Sequence, residues 1–168
     1  NLERLLYLAS GCSADETSRL MSDLSEKGVY EVTPSMKENM KDFVGGFADQ
    51  KENAEEIRRV FKDTGYLIDT HTGVAAAVYE QYKTKTGDTT KTIIASTASP
   101  YKFSRSVMEA VLGKKEDADE FALIDEMERI SGVKIPQAIE EIRDAKILHN
   151  RQCKPEEMEE TVKQTFSK

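Results

Sequence analysis

The sequence predicts an α/β fold in which helices greatly outnumber strands. Helical patterns with capping residues and terminal glycines recur along the 168 residues. Only residues 66–85 and 92–113 read as a short strand followed by a helix, the unit from which parallel sheets are built. A parallel sheet needs more strands than these two. We therefore expect either a mostly helical domain or a sheet whose other strands lie outside this sequence.

Composition limits the classes of partner. The net charge is −7, which argues against binding to nucleic acid or to an anionic membrane surface. No apolar run approaches the roughly 20 residues that span a bilayer. A small anionic metabolite remains compatible, because a few backbone N–H groups and one lysine suffice to bind it. Cys12 and Cys153 have no metal or redox spacing, which predicts a cytoplasmic location.

The elements of the first half are predicted from apolar spacing and from caps. Ser13 precedes Glu16, and Asp49 precedes Glu52, at the capping-box interval. Proline at position 34 ends a short apolar run and opens another helical pattern. The predictions are helices over 1–9, 13–28, 34–44 and 49–65, with a short strand at 29–33.

The second half contains the two strand-to-helix units and then only helices. A short strand is predicted at 66–69 and a more convincing β-branched one at 91–97. Gly73 lies in the first turn of the helix over 70–87, where the lack of a side chain permits another group to approach closely. Further helices are predicted to begin near Pro100, Asp117, Pro136 and Pro155.

Polar side chains follow both predicted strands. In open α/β sheets ligands bind beyond the carboxyl ends of the strands, where the next helix offers free N–H groups and partial positive charge. The candidate residues of these two turns are Asp69, Thr70, His71, Thr72, Ser96, Thr97 and Ser99.

Each candidate also has a purely structural interpretation. Asp69 or Thr70, and likewise Ser99, have the residue types of helix N-caps. A lone histidine such as His71 is more often a hydrogen-bonded structural group than a catalyst. His149 lies near a predicted helix end, where its side chain is expected to interact with the helix C-terminus. The hydroxyls of the second turn have no adjacent base, and the sequence contains no catalytic triad, Walker motif or GxGxxG motif.

Three segments read together are more specific than any of them alone. They are "NLERLLYLASG" at 1–11, "YLIDTHTGVAAAVYEQY" at 66–82 and "IIASTASPYKFSRSVMEAVLG" at 93–113. In this order they resemble the later part of threonine synthase, in its bacterial and fungal branch. The motif "TASPYKF" at 97–103 is the most specific part. The resemblance covers residues 1–113, and beyond that point it rests only on a similar helical tail.

The resemblance implies a fold and a reaction. Threonine synthase has the tryptophan-synthase-β fold (fold type II) and uses pyridoxal phosphate. It converts O-phosphohomoserine and water to threonine and phosphate in threonine biosynthesis, by γ-elimination followed by addition of water. On this basis residues 1–113 are expected to be the C-terminal part of the catalytic domain, and residues 114–168 a helical tail packed on it.

The resemblance also implies roles for five residues. Thr97 matches the neutral hydroxyl that faces the pyridine nitrogen, since a hydroxyl can donate to an unprotonated nitrogen whereas a carboxylate favours the protonated form. His71 and Thr72 match the family's His-Thr pair and are expected either to line the cofactor or to cap a helix, and Ser96 is expected to contact the cofactor. Lys102 is expected either to face the substrate phosphate or to lie on the helix surface. No metal ligands are expected.

The family's Schiff-base lysine and its phosphate-binding Gly/Asn loop are not recognisable in this sequence. The first interpretation is therefore a C-terminal fragment of threonine synthase that has no catalytic residue of its own and is inactive alone. Two alternatives remain open. One is a self-contained helical interaction or regulatory domain without catalysis, and the other is a member of the same fold type that acts on a different amino acid.

Overall fold

The computed structural model describes residues 1–148 and 150–167. The chain forms two compact units, Asn1–Phe47 and Ala48–Lys168. None of the described helices is long and apolar enough to cross a membrane. His149, for which an interaction with a helix C-terminus was predicted, lies outside the described residues.

The first unit is a small three-helix cluster. It contains α1 (Leu2–Ala9), α2 (Ala14–Lys27) and α3 (Pro34–Asn39). The predicted Ser13 cap is present, because its hydroxyl accepts a hydrogen bond from the backbone N–H of Glu16 at 3.2 Å. The buried core of this unit consists of Leu6, Ala9, Leu20 and Met36.

The second unit contains six α-helices among its described residues. They are α4 (Gln50–Thr64), α5 (Thr70–Thr86), α6 (Ser104–Leu112), α7 (Glu120–Ser131), α8 (Gln137–Arg143) and α9 (Met158–Phe166), with 3₁₀ turns at Pro100–Phe103 and Pro155–Glu157. Helix α4 packs against α5 and α6, and α6 packs against α7. The core between them is formed by Ile57, Leu67, Ile68, Ala76, Tyr101, Val107, Met108, Ala110, Leu123, Ile124 and Met127.

Most predicted helix ends are confirmed. Asp49 and Glu52 form the complete reciprocal capping box of α4. Gly65 and Gly87 end α4 and α5 in the left-handed conformation that glycine adopts without a steric penalty. The cap of α7 was predicted two residues too early, since Asp119 rather than Asp117 accepts the N–H groups of its first turn.

The helix-rich character is confirmed, but the predicted strands are not formed among the described residues. Segment 66–69 is mostly buried, with Leu67 and Ile68 each 5 % exposed. Segment 91–97 lies at the surface, and Ile93 is 93 % exposed. A strand requires a neighbour for its N–H and C=O groups, and the described chain provides none to either segment. The prediction of strands at 29–33, 66–69 and 91–97 is therefore wrong for this chain.

The predicted close approach at Gly73 is confirmed. A Cβ atom added there would lie 2.2 Å from Oδ1 of Asn53 and 2.8 Å from Cγ1 of Ile57. Both neighbours belong to α4, so the missing side chain sets how closely α4 and α5 pack.

We expect Gly73→Ala to destabilise the second unit by about 1–3 kcal/mol, because overpacking of a tight contact costs more than the gain of about 1 kcal/mol in helix propensity. Urea unfolding of the 168-residue chain measures the change. The double variant Gly73→Ala/Asn53→Ala should recover part of the loss, since it removes the shorter of the two contacts. A single variant as stable as the original chain would show that the helices separate freely at this point.

Candidate functional site

The carboxylate of Asp69 is the centre of the candidate site. Its side chain is fully buried and forms the N-cap of α5. Oδ1 accepts the backbone N–H groups of His71 at 2.8 Å and of Thr72 at 3.3 Å. Oδ2 accepts the hydroxyl of Thr72. The N-cap interpretation of this residue is therefore confirmed, and the same carboxylate organises the polar groups around it.

Opposing effects act on the pKa of Asp69. Burial favours the neutral acid and is the largest single effect, whereas the Thr72 hydroxyl and the two backbone N–H groups favour the carboxylate. The donors together prevail, and the pKa lies below its ordinary value of 3.8. Asp69 is therefore an anion at neutral pH, with its lone pairs directed at these internal donors.

The two predicted turns meet through a pair of hydroxyls. The Oγ1 atom of Thr72 and the Oγ atom of Ser96 are hydrogen-bonded at 2.9 Å. A hydroxyl has one proton, and the charged acceptor Asp69 takes that of Thr72. The proton of Ser96 is then directed towards Thr72, which leaves Ser96 as a hydrogen-bond acceptor towards any ligand.

The imidazole of His71 lies on the outer side of this cluster. Its side chain is 66 % exposed, and Nδ1 lies 3.3 Å from Oδ1 of Asp69. The ring packs against that of Phe103, with a distance of 4.9 Å between ring centroids and an angle of 54° between ring planes. The exposed imidazole is thus held between a carboxylate and an aromatic ring, and it remains accessible to a ligand.

Thr97 and Lys102 both follow Ser96 in the sequence. Thr97 directly follows Ser96 and is exposed, and within the described residues its hydroxyl makes no hydrogen bond. Lys102 is exposed too, and its Nζ lies 5.8 Å from the centre of the Phe103 ring. The structure therefore brings Thr72, Ser96 and His71 together, with Thr97 adjacent in sequence and Lys102 linked to them through Phe103.

Residues beyond 113 hold the "TASPYKF" segment in place. Ser99 caps the 3₁₀ turn by accepting the N–H of Tyr101 at 3.3 Å. The buried Tyr101 donates its hydroxyl to the carbonyl of Val133, and burial raises its pKa, so it stays a donor at neutral pH. Ser104 donates to a carboxylate oxygen of Glu120 at 2.7 Å.

Arg105 adds a second anchor to the same segment. Its guanidinium donates to the carbonyls of Glu116 at 2.6 Å and Ala118 at 2.8 Å, and to Glu120 at 2.7 Å. The connection between α6 and α7 is thus bound to the helix that follows the motif.

The sequence did not reveal two contacts of this site. Phe103 is a position of the "TASPYKF" motif that received no role from the sequence, because its contact with His71 depends on the fold. Tyr101 was an unassigned position of the motif, although an aromatic hydroxyl beside a proline in a specific motif is a usable signal for a buried anchor. No group of three His, Cys, Asp or Glu side chains that could hold a metal ion occurs in the part of the chain that the structure describes.

The buried carboxylate and the hydrogen-bonded hydroxyls form a polar cluster at the start of α5, and comparison with solved structures identifies the fold that carries it. A pyridoxal-phosphate-bound threonine synthase from Brucella melitensis matches this structure with a TM-score of 0.55 and 26 % sequence identity. The match covers 80 % of this chain and 27 % of that one. The fold is therefore that of part of a fold type II enzyme.

The sequence profile of the family described as "Threonine synthase, C-terminal" matches residues 72–164. The chain belongs to this family, as the resemblance predicted, and the match includes most of the helical tail.

Two curated relatives show how much of a whole protein the chain represents. Threonine synthase-like 1 from Homo sapiens is 30 % identical over 112 residues, which are 66 % of this chain and 15 % of that protein. Threonine synthase from Schizosaccharomyces pombe is 32 % identical over 119 residues, which are 64 % of this chain and 23 % of that protein. The chain thus spans less than a quarter of the length of either relative.

We expect the lowered pKa of Asp69 to make the second unit sensitive to acid. A group with a lowered pKa contributes stability above its ordinary pKa, and this contribution is lost as the pH falls through the folded-state value. From pH 6 to pH 2.5 the unfolding free energy of the original chain should therefore fall more than that of Asp69→Asn. Thr72→Val, which removes one donor, should give an intermediate dependence. Equal pH dependences for all three chains would contradict the assignment.

Tyr101→Phe should lower the unfolding free energy by about 1 kcal/mol, because it removes a buried hydrogen bond but keeps the ring. Chemical denaturation measures the change. Tyr66→Phe is the matched control, since Tyr66 is 63 % exposed, and it should have no measurable effect. Equal results for the two variants would show that the contact with Val133 does not hold the motif.

Proposed function

We propose that this chain is the C-terminal part of a pyridoxal-phosphate-dependent threonine synthase, which converts O-phosphohomoserine and water to threonine and phosphate. The family match over residues 72–164 is the observation that carries the proposal. The contact between the two predicted turns, through Thr72 and Ser96, supports it from the geometry. The cytoplasmic location stays a prediction from the two free cysteines.

The side chains at the site suit pyridoxal phosphate. The buried carboxylate of Asp69 is engaged by Thr72 and by two backbone N–H groups, so it is not available to a pyridine nitrogen. The exposed hydroxyl of Thr97 has its proton free for such a nitrogen. A neutral donor keeps that nitrogen unprotonated, which is the arrangement that the family resemblance implies. The bound cofactor would supply an electron sink for the reaction, and the protein would position it.

The other candidate residues have complementary roles in this proposal. Ser96 presents an acceptor, since its own proton is directed to Thr72. The exposed imidazole of His71 forms a wall beside the cofactor, supported by Phe103. Lys102 presents a positive charge to the substrate phosphate from the adjacent surface. Each of these side chains binds or orients, and none of them performs a covalent step.

The surface position of segment 91–97 supports the proposal that the chain is part of a larger catalytic domain. This β-branched segment has no strand neighbour among the described residues, and its Ile93 is 93 % exposed, so its backbone groups are left open for pairing with another strand. We propose that this segment and segment 66–69 complete a sheet with strands supplied by the rest of the enzyme. In that enzyme residues 1–113 belong to the catalytic domain and residues 114–168 form a tail packed on it, a division that the contacts of Arg105 with residues 116–120 support at its start.

In the full-length enzyme, Thr97→Asp should shift the absorbance band of the bound cofactor, because a carboxylate favours the protonated pyridine nitrogen. Turnover should fall at least about tenfold, which corresponds to about 1.4 kcal/mol of transition-state stabilisation. Thr89→Asp is the control, since Thr89 is exposed in the loop before this segment and outside both proposed strands, and it should change neither the spectrum nor the rate.

An unchanged spectrum and rate in Thr97→Asp would contradict the assignment of the pyridine nitrogen. The isolated 168-residue chain provides a separate test of the proposed dependence on the rest of the enzyme. When mixed with pyridoxal phosphate it should show no absorbance beyond that of the free cofactor, and it should release no phosphate from O-phosphohomoserine. Activity of the isolated chain would overturn the fragment interpretation.

A further inference from the structure

The two ring nitrogens of His71 have different surroundings. Nδ1 lies 3.3 Å from Oδ1 of the buried Asp69, whereas Nε2 has no hydrogen-bonding partner within the described residues. A ring that served only as a wall beside the cofactor would not need one nitrogen against a carboxylate. Enzymes use the pairing of an imidazole with a carboxylate to orient a histidine that acts as a base.

The carboxylate of Asp69 determines which nitrogen carries the proton of the neutral ring. Asp69 is an anion at neutral pH, and a carboxylate only accepts hydrogen bonds, so the nitrogen that faces it is stable there as N–H. The distance of 3.3 Å is slightly longer than is usual for an N–H···O bond, and catalytic contacts of this kind often shorten when a ligand binds. The proton therefore resides on Nδ1, and Nε2 keeps a lone pair.

Phe103 restricts the orientation of the same ring. The two ring centroids are 4.9 Å apart, and the ring planes are tilted by 54°. Rotation of the imidazole would separate Nδ1 from Asp69 and would also change the contact with Phe103. Because the two nitrogens lie on different edges of the ring, Nε2 does not face the carboxylate. Its lone pair is thus available to a water molecule or a ligand.

The proposed reaction requires a base in its second stage. Phosphate leaves the γ carbon of O-phosphohomoserine, and water then adds to the β carbon. Water adds to carbon efficiently when a positioned base takes one of its protons. The β and γ carbons are directly bonded, so the base has to lie near the group that binds the phosphate. His71 and Lys102, the residue proposed to bind the phosphate, both lie beside the ring of Phe103.

We propose that His71 is the general base for the addition of water and that Asp69 is its positioning residue. Nε2 takes a proton from a water molecule while the water oxygen bonds to the β carbon. The electron pair of the α–β double bond passes to the cofactor, the electron sink of the proposed function. The substrate gains a proton at its α carbon, and the ring returns its proton to the solvent, so that one water molecule is added overall.

The imidazole forms no covalent bond to the substrate in this step. The carboxylate of Asp69 stabilises the imidazolium that forms, because it bears the opposite charge and lies against Nδ1. His71 is then a catalytic residue, which the sequence did not predict. The inference rests on the proposed function for its reaction, whereas the proton on Nδ1 follows from the geometry alone.

Nitrogen NMR of the imidazole rings in the ¹⁵N-labelled 168-residue chain tests the geometry without cofactor or substrate. At about pH 8.5 the two tautomers of a neutral ring have different nitrogen shifts. We expect the proton of His71 on Nδ1 in the original chain and on Nε2 in Asp69→Asn, because an amide can donate to Nδ1 and asparagine still caps the helix. His149→Gln assigns the signals, since the chain has two histidines. A proton on Nε2 in the original chain would overturn the proposal.

The full-length enzyme tests the chemistry through the amount of threonine formed per phosphate released. The unsaturated product of phosphate loss gives 2-oxobutyrate and ammonia when water is not added at its β carbon. In His71→Asn the side-chain amide can still donate to Asp69, but the base is missing. A general base contributes about 10²–10⁴-fold to a rate, so the ratio of threonine to phosphate should fall at least about fivefold. The ratio should fall less in Asp69→Asn and stay unchanged in His149→Gln.

A merely structural role of His71 would slow phosphate release and threonine formation equally. An unchanged ratio in an active His71→Asn enzyme would therefore overturn the role as a base and leave the proposed function standing. An original enzyme that releases no phosphate from O-phosphohomoserine would overturn the proposed function and this role with it. The tautomer measured in the 168-residue chain does not depend on that result.

Discussion

The candidate site depends on one buried carboxylate. Asp69 has no exposed surface, and a buried charge persists only when donors replace the water that it has lost. The donors come from the first turn of α5 and from the hydroxyl of Thr72, which in turn contacts Ser96. A single anion thereby begins a helix, sets the direction of two hydroxyl protons and joins two turns that lie 24 residues apart.

The helical tail has a structural role that composition does not suggest. Residues 116–133 bind the motif segment through Tyr101, Ser104 and Arg105, and these contacts combine buried and charge-assisted hydrogen bonds. The family match across residues 72–164 includes both the motif and most of the tail. The start of the tail therefore holds residues 101–105 in place even though it supplies none of the proposed cofactor contacts.

The sequence predicted those features of the fold that depend on neighbouring residues. Caps such as Asp49 with Glu52, and left-handed glycines such as Gly65, act within one helical turn, so local spacing suffices to find them. The close approach at Gly73 also followed from local reasoning, although its partners did not. The strands were mispredicted because a β-branched run such as 91–97 shows strand propensity without showing whether a pairing partner exists.

The sequence by itself determined the helix-rich class, the helix ends and, through three ordered motifs, the family. Only the tertiary structure decided which hydroxyl donates, which ring supports His71, and that Tyr101 reaches the carbonyl of Val133. The physical reason is distance along the chain. Caps and periodicity involve residues three or four positions apart, whereas these contacts join residues separated by 24 to 32 positions, and packing alone brings such residues together.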